Sequence, residues 1–278
     1  MSRHTSLKVG GPADLYAVPE DPDDLRALLQ KLGEQDIPWL AIGNGYNLLV
    51  RDKGIRGAVI SLERFNRIAE AGEGRIRAEA GAENLAVVRF AQELGLGGIG
   101  FISGIPGTVG GAIKMNAGAY GSGILERTES LTLLRGGNIA EYRMEELDYG
   151  YRHLALPVGD IVLSALFNLE RREPHHTEEE IRRDLELRRT KHNVGYPSAG
   201  SFFKNPPGQA AWRLIDAAGM RGAVVGGAQV SEVHSNFLVN RGGATSRDFL
   251  ELAARVKAAV QETSGVALEE EVRIMGEE

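Results

Sequence analysis

Residues 103–121 read Ser-Gly-Ile-Pro-Gly-Thr-Val-Gly-Gly-Ala-Ile-Lys-Met-Asn-Ala-Gly-Ala-Tyr-Gly, with Lys114 as the single charge. Glycine costs backbone entropy on folding and adds no side chain to a core. Such density marks a backbone that something approaches closely. Phosphate is the usual partner, because bare N–H groups can point at its oxygens. The segment therefore predicts a cradle for a large phosphorylated cofactor, with 108–115 as a short helix whose N-terminus faces the loop. Two familiar phosphate signatures do not account for it. The P-loop needs Gly-Lys-Ser/Thr, which is absent. A G-x-G-x-x-G match at Gly95, Gly97 and Gly100 follows a helical pattern rather than a strand, so Gly95 reads as a helix C-cap.

Other residues could carry chemistry. A second glycine turn, 43–50, follows a predicted strand, and with the first it suggests two loops gripping one extended ligand. Arg152, within Tyr-Gly-Tyr-Arg, could clamp a carboxylate through two hydrogen bonds. Stacked on a tyrosine at the surface, it would do no chemistry. Near the C-terminus, strand alternation puts Leu268, Val272 and Ile274 on one face and Glu269, Glu271 and Arg273 on the other. Glu270 falls on the apolar side, and the pattern does not choose among the three carboxylates. Ser201 stands between a glycine and two phenylalanines. That is not a G-x-S-x-G elbow, and by itself it reads as a turn serine entering a strand. The histidines show no metal-ligand spacing.

These groups need elements to position them. Helices are predicted over 21–32, with Leu25, Leu28, Leu29 and Leu32 on one face, over 83–94, over 207–218 capped by Gly219, and over 245–263 stopped by Gly265. A capping-box pattern at Thr177-Glu178-Glu179-Glu180 opens a further charged helix. Strands are predicted over 39–42, 58–62, 76–80, 160–169 with alternation, 236–239 and 268–275, and a hairpin turns at 135–138. Helices and strands mix without a strict βαβ rhythm or an internal repeat, so the fold class is α+β.

Composition narrows the function. A chain of 278 residues, 42% hydrophobic, can build two or three compact units. A net charge of −6 argues against nucleic acid as a partner. No apolar run is long enough to span a bilayer, and the N-terminus lacks a basic-then-apolar leader pattern. The absence of cysteine excludes disulfides, iron–sulfur clusters, thiol nucleophiles and cysteine-based zinc sites. The expectation is a cytoplasmic protein with no membrane association and no obligate protein partner.

The motifs at 5–13, 43–50, 104–121, 151–152, 198–206, 226–231 and 268–276 occur in the order and spacing of one family. Over nearly its whole length the chain resembles the UDP-N-acetylenolpyruvoylglucosamine reductases (UDP-N-acetylmuramate dehydrogenases), flavoenzymes of bacterial peptidoglycan synthesis. The resemblance implies two FAD-binding subdomains of the vanillyl-alcohol-oxidase (PCMH) type, 1–60 and 61–190, then a substrate domain, 191–278. It implies non-covalent FAD, NADPH as co-substrate, and reduction of the enolpyruvyl group of UDP-N-acetylglucosamine-enolpyruvate to UDP-N-acetylmuramate. By position, FAD would meet Gly43, Asn44, Gly45, Tyr46, Asn47 and Leu48 in one loop. In the other it would meet Ser103, Gly104, Ile105, Pro106, Gly107, Thr108, Gly110, Gly111, Ala112, Asn116 and Gly118. Arg152 and a proton-bearing Glu271 would stabilise the enolate, and Ser201 would protonate its carbon. Tyr151, Lys191, Asn205 and His234 fall where the family contacts substrate, and no metal is implied. Tyr46 replaces a common serine, His4 a common asparagine and Leu154 a common serine. The span from Arg152 to Ser201 has no room for the insertion that carries a substrate-covering tyrosine in longer members, so the chain looks like the shorter subtype. Two alternatives compete. An FAD-dependent alcohol or lactone oxidase of the same superfold would need oxygen access, and such enzymes often tether FAD through His or Cys, which both loops lack. A non-catalytic nucleotide-sugar binder would not need the intact glycine motifs.

Overall fold

The computed structural model describes residues 1–119, 121–187, 190 and 193–278, and for Pro174 and Thr177 the backbone only. Its helices, in chain order, are α1 (Pro22–Glu34), α2 (Asn84–Glu93), α3 (Val109–Lys114), α4 (Pro174–Leu187), α5 (Ala211–Ala217) and α6 (Ser246–Ser264). The chain divides into two compact units, Met1–Leu15 with Gly45–Gly57 and Arg188–Glu278, and Tyr16–Asn44 with Ala58–Leu187.

The second of these units is built on a five-stranded antiparallel sheet. Its order is Asn138–Arg143, Thr128–Arg135, Ile161–Asn168, Arg75–Glu79, Ile68–Glu70. The predicted hairpin is present, with Arg135 opposite Asn138 and two left-handed glycines, Gly136 and Gly137, forming the tight turn that matches strand twist. Helices of six to ten residues are marginal alone. Here α2 and α3 are held by burying Val87, Val88, Ala91, Val109 and Ile113 with Leu131, Leu133, Ala165 and Phe167 of the sheet. A second cluster joins Leu25 and Leu32 of α1 to Ile60, Leu134, Ile161 and Leu163. The Ile161–Asn168 strand is therefore buried along nearly its whole length, instead of alternating as its sequence suggested. It is central, and both of its faces meet packed side chains. Helix α4 begins at Pro174, ahead of the expected start, and the capping box expected at Thr177 involves a side chain outside the described residues.

The other unit carries a four-stranded antiparallel sheet in the order Ser198–Ser201, Phe237–Asn240, Ala228–Val230, Val224–Val225. Its core joins Phe202 and Phe203 to Ile215 of α5, to Phe249, Leu252 and Val256 of α6, and to Leu7, Val9 and Leu49. Helix α6 has the expected ends: Thr245 and Asp248 form a reciprocal capping box, and Gly265 closes it in the left-handed region at φ 71°. Two expectations fail here. Helix α5 starts at Ala211, not Pro207, because Gln209 N–H turns back to the Pro206 carbonyl and Asn205 Oδ1 takes the Ala211 N–H. The C-terminal strand is only Arg273–Met275, parallel to Leu48–Val50. Residues 268–272 lie outside it, because the N–H groups of Glu271 and Val272 both turn to the single carbonyl of Phe202.

Candidate active site

The 103–118 segment is fixed by hydrogen bonds along residues 80–84. Asn84 N–H donates to Gly107 O at 3.1 Å and Asn84 Nδ2 to Ile105 O at 3.1 Å. Val109 N–H donates to Ala82 O at 2.9 Å and Gly110 N–H to Ala80 O at 2.8 Å. Some glycines here are explained by packing. A Cβ on Gly110 would lie 2.8 Å from that of Ala80, and one on Gly43 would lie 2.4 Å from Thr108 Oγ1. Gly111 is different. It is exposed in the middle of α3, where glycine costs about 1 kcal/mol relative to alanine, and a Cβ there would meet only Thr108 Oγ1, at 3.7 Å. Packing against the described residues does not account for it. Ser103 Oγ, Thr108 Oγ1 and Asn84 Oδ1 are buried and find no partner among the described residues. Each such atom costs about 1–3 kcal/mol unless something completes it. Gly104, Ile105, Pro106 and Gly107 are partly open, while Ala112 is buried. The loop thus offers bare backbone and polar oxygens without a charge, which fits a phosphorylated cofactor such as FAD.

Asn116 and Arg152 belong to the same unit. Asn116 Nδ2 donates to Gly150 O at 2.8 Å and its Oδ1 accepts Leu125 N–H at 3.2 Å, so this side chain ties the end of the glycine segment to the Tyr-Arg motif. Gly118 is held against Ser122, whose carbonyl a Cβ would approach to 2.1 Å. Arg152, at φ 54°, reaches Asn116 O at 3.2 Å and Gly118 O at 2.8 Å with its two Nη atoms, and its guanidinium lies 5.3 Å from the Tyr151 ring centroid. The stack on a tyrosine is present, and the forked donors seen here grip two backbone carbonyls rather than a carboxylate. The Tyr151 ring is 62% exposed. Asn44 is exposed in this unit.

In the other unit, the remainder of the first glycine turn packs on the N-terminus. A Cβ on Gly45 would lie 2.1 Å from His4 O, and Gly45 O accepts Ser6 N–H. Tyr46 is 42% exposed. Asn47 is a bridge: its carbonyl accepts Arg273 N–H at 3.0 Å and its Nδ2 donates to Glu271 O at 2.9 Å, while Leu48 opens the strand that pairs with Arg273.

Ser201 ends the Ser198–Ser201 strand, opposite Phe237. The register slips between Ser198 and Ser201, where Gly200 takes φ 75°, a bulge that re-aims the strand end. One residue further, Phe202 O accepts Glu271 N–H at 2.8 Å. The chain therefore brings the backbones of Ser201 and Glu271 together through the Phe202 carbonyl, with Lys204 N–H donating to Glu269 O at 2.9 Å nearby. The neighbouring carboxylates are otherwise engaged. Glu269 pairs with Lys204 at 3.1 Å, with its side chain 75% exposed, and Glu270 pairs with Lys257 at 2.9 Å. Glu271 is placed by its N–H bond to Phe202 O, not by the pleat that the sequence suggested. Asn205 caps α5, as described, and His234 packs on Phe237 and Trp212 with ring centroids 4.7 and 6.3 Å away. Partial burial works against the charge of Asp216. Even so, hydrogen bonds from Arg221, at 2.5 Å, and Ser235, with the charges of Arg221 and His234, hold its carboxyl below its ordinary range. Lys191 lies outside the described residues.

Sequence reasoning passed over Asn84 and Asn236. Both are buried amides that hold loop backbone. An asparagine at a helix start or beside a strand carries no local signal of such a role.

Comparison with known proteins agrees along the whole chain. Residues 13–137 match the FAD binding domain family, and residues 192–275 match the C-terminal domain of UDP-N-acetylenolpyruvoylglucosamine reductase. A UDP-N-acetylenolpyruvoylglucosamine reductase of Pelobacter propionicus is 76% identical over 278 residues, covering 100% of this chain and 94% of that protein. One of Geobacter sulfurreducens is 55% identical, covering 100% of this chain and 93% of that protein. The crystal structure of the UDP-N-acetylenolpyruvylglucosamine reductase of Thermus caldophilus superposes with a TM-score of 0.85 at 36% identity, covering 98% of this chain and 96% of that one.

Proposed function

The chain belongs to the UDP-N-acetylenolpyruvoylglucosamine reductase family, and from that premise we propose how its residues reduce the enolpyruvyl group of the UDP-sugar with NADPH to give UDP-N-acetylmuramate for peptidoglycan. Residues 43–48 and 103–118 hold FAD without a covalent link. The room left at Gly111 and the polar oxygens of Ser103 and Thr108 support that assignment. Segments 1–60 and 61–190 form the cofactor part and 191–278 the substrate part. Bound FAD supplies the two-electron redox chemistry, accepting reducing equivalents from NADPH and delivering them to the vinyl ether.

Reduction of the terminal vinyl carbon leaves negative charge on the adjacent carbon and its carboxylate. Arg152, anchored on the Asn116 and Gly118 carbonyls, attracts that carboxylate with its positive guanidinium. Glu271, carrying or sharing a proton, stabilises the enolate oxygen; a buried complex favours this neutral form by desolvation. Ser201 then delivers a proton to the carbon. A serine hydroxyl is a weak acid, so its placement must supply much of the rate. Tyr151, Lys191, Asn205 and His234 contact the rest of the substrate. A nucleotide sugar and NADPH as substrates place the reaction in the cytoplasm, and among the described residues no helix is long and apolar enough to cross a membrane.

The observation that carries this reading is the Glu271 N–H bonded to Phe202 O, beside Ser201. Anaerobic titration tests it. NADPH should bleach the flavin of purified enzyme, and enolpyruvyl-UDP-N-acetylglucosamine should restore its colour with one UDP-N-acetylmuramate formed per flavin. Bleaching with no recovery on adding the enolpyruvyl substrate would refute the assignment.

A further inference from the structure

Asn236 is 3% exposed and lies in the turn before the Phe237–Asn240 strand. Its side chain is bonded to backbone: Oδ1 accepts Phe203 N–H at 3.0 Å and Nδ2 donates to Phe203 O at 2.8 Å. Its own carbonyl accepts Phe202 N–H at 2.7 Å. One residue thus satisfies three of the four backbone polar groups of Phe202 and Phe203. The amide orientation is fixed, because only Nδ2 can donate to a carbonyl and only Oδ1 can accept from an N–H. The clamp also leaves Phe202 O free to accept the N–H groups of Glu271 and Val272, at 2.8 and 3.3 Å. Beyond the Gly200 bulge, Ser201 keeps only its register with Phe237, and the clamp fixes the chain that follows it.

We infer that Asn236 is the positioning residue for proton delivery, setting Ser201 and Glu271 in mutual register through the Phe202–Phe203 backbone. It touches neither substrate nor cofactor. It acts through two peptide groups, and a displacement of about 1 Å at a reacting group costs about 10²-fold. The inference rests on the roles proposed for Ser201 and Glu271.

The test uses Asn236→Asp, Asn236→Ala and Ser201→Ala in flavin-loaded enzyme. A neutral aspartic acid offers one O–H and one carbonyl, the same donor and acceptor as the amide, whereas the ionised form offers only acceptors. In N236D, flavin bleaching by NADPH should keep its rate. Reoxidation by the enolpyruvyl substrate should slow about 10²-fold at neutral pH and recover as pH falls through the raised pKa of this buried acid. N236A should be slow at every pH. His234, whose Nδ1 accepts the Asn236 N–H at 3.3 Å, is present in all forms, so the wild-type and N236A profiles define the background. Amide exchange at Phe203 in the resting protein should rise in N236A and in ionised N236D, and fall again in N236D at low pH. Equal slowing of both half-reactions, or slow reoxidation in N236D that does not recover while Phe203 protection does, overturns the positioning role. Fast reoxidation in Ser201→Ala would instead overturn the assignment of Ser201, whatever Asn236 does.

Discussion

Ser201 and Glu271 are half-buried side chains on adjoining stretches of backbone, and the chemistry proposed for them separates the half-reactions. Ser201→Ala should leave NADPH bleaching of the flavin nearly intact and slow substrate reduction by about 10²–10⁴-fold, the usual scale for losing a positioned proton donor. Stopped-flow measurement of each half-reaction checks this, and equal slowing would make the serine structural. Glu271→Gln should lower kcat more than it raises KM, because the enolate exists only after reduction begins. Glu269→Gln breaks an exposed ion pair with Lys204, worth about 0–1 kcal/mol, and should be silent. A crippled Glu269→Gln beside a normal Glu271→Gln would show the roles reversed. Gly111→Val tests the cofactor loop. The cofactor-free protein has space for the added side chain at its Cβ, so its Tm should hold or rise. FAD affinity, read by flavin fluorescence, should fall at least tenfold, the ~1.4 kcal/mol scale of one lost close contact. Undiminished affinity would move the cradle elsewhere.

At the scale of the element, α5 shows how one side chain serves two ends. Asn205 Oδ1 accepts the Ala211 N–H at 3.0 Å and so caps the seven-residue helix, while its Nδ2 is the group proposed for substrate. Asn205→Ala should destabilise the protein by about 1 kcal/mol, as other cap losses do, and raise KM as well. Asn205→Asp keeps the acceptor and loses the donor, so Tm should stay while KM rises. Thermal melts beside steady-state kinetics separate the two, and an unchanged KM in Asn205→Asp would leave Asn205 as a cap alone. The C-terminal stretch teaches a related lesson. Alternation set Glu271 and Glu269 on one face and Glu270 on the other, but 268–272 is not a strand and the pleat does not apply there. Its geometry is set by carbonyls of Phe202 and by Asn47, which sequence periodicity cannot see.

For the whole molecule, individual carboxyls act on stability with opposite signs as they titrate. Asp248, like Asp216, meets a desolvation penalty, but hydrogen bonds from Thr245 and Gly227 outweigh it and its carboxyl titrates below its ordinary range. A depressed folded pKa means the stabilisation is complete above the unfolded value, about 3.9, and is lost as pH falls through the folded one. Asp248→Asn should flatten the acid limb of Tm against pH, and an unchanged limb would deny Asp248 that part. Asp184 of α4 is 3% exposed, and burial raises its pKa despite Arg183 beside it at 3.5 Å. Its ionisation therefore lowers stability as pH rises from the unfolded value through the raised one. Asp184→Asn should raise Tm at neutral pH and leave it nearly unchanged in strong acid. Melting curves at both ends of the range decide it.

The sequence by itself determined the α+β class, the family, and most elements to within a few residues. Hydrophobic spacing, caps such as Thr245 and Gly265, and the Gly136-Gly137 turn act locally, over one helical turn or one hairpin. It also marked the glycine loops, because an unusual density of glycine needs a reason that any reader of the chain can ask for. Tertiary structure decided which glycines pack against the chain and which, like Gly111, leave space. It decided that Glu269 pairs with Lys204 and Glu270 with Lys257, and that buried Asn84 and Asn236 hold the loops in place. Those facts depend on contacts between residues far apart in sequence: Asn236 and Phe203 are separated by 33 positions, and Asn47 and Glu271 by 224. A hydrogen bond across such a distance leaves no period, cap or turn signature, so only the folded chain reveals it.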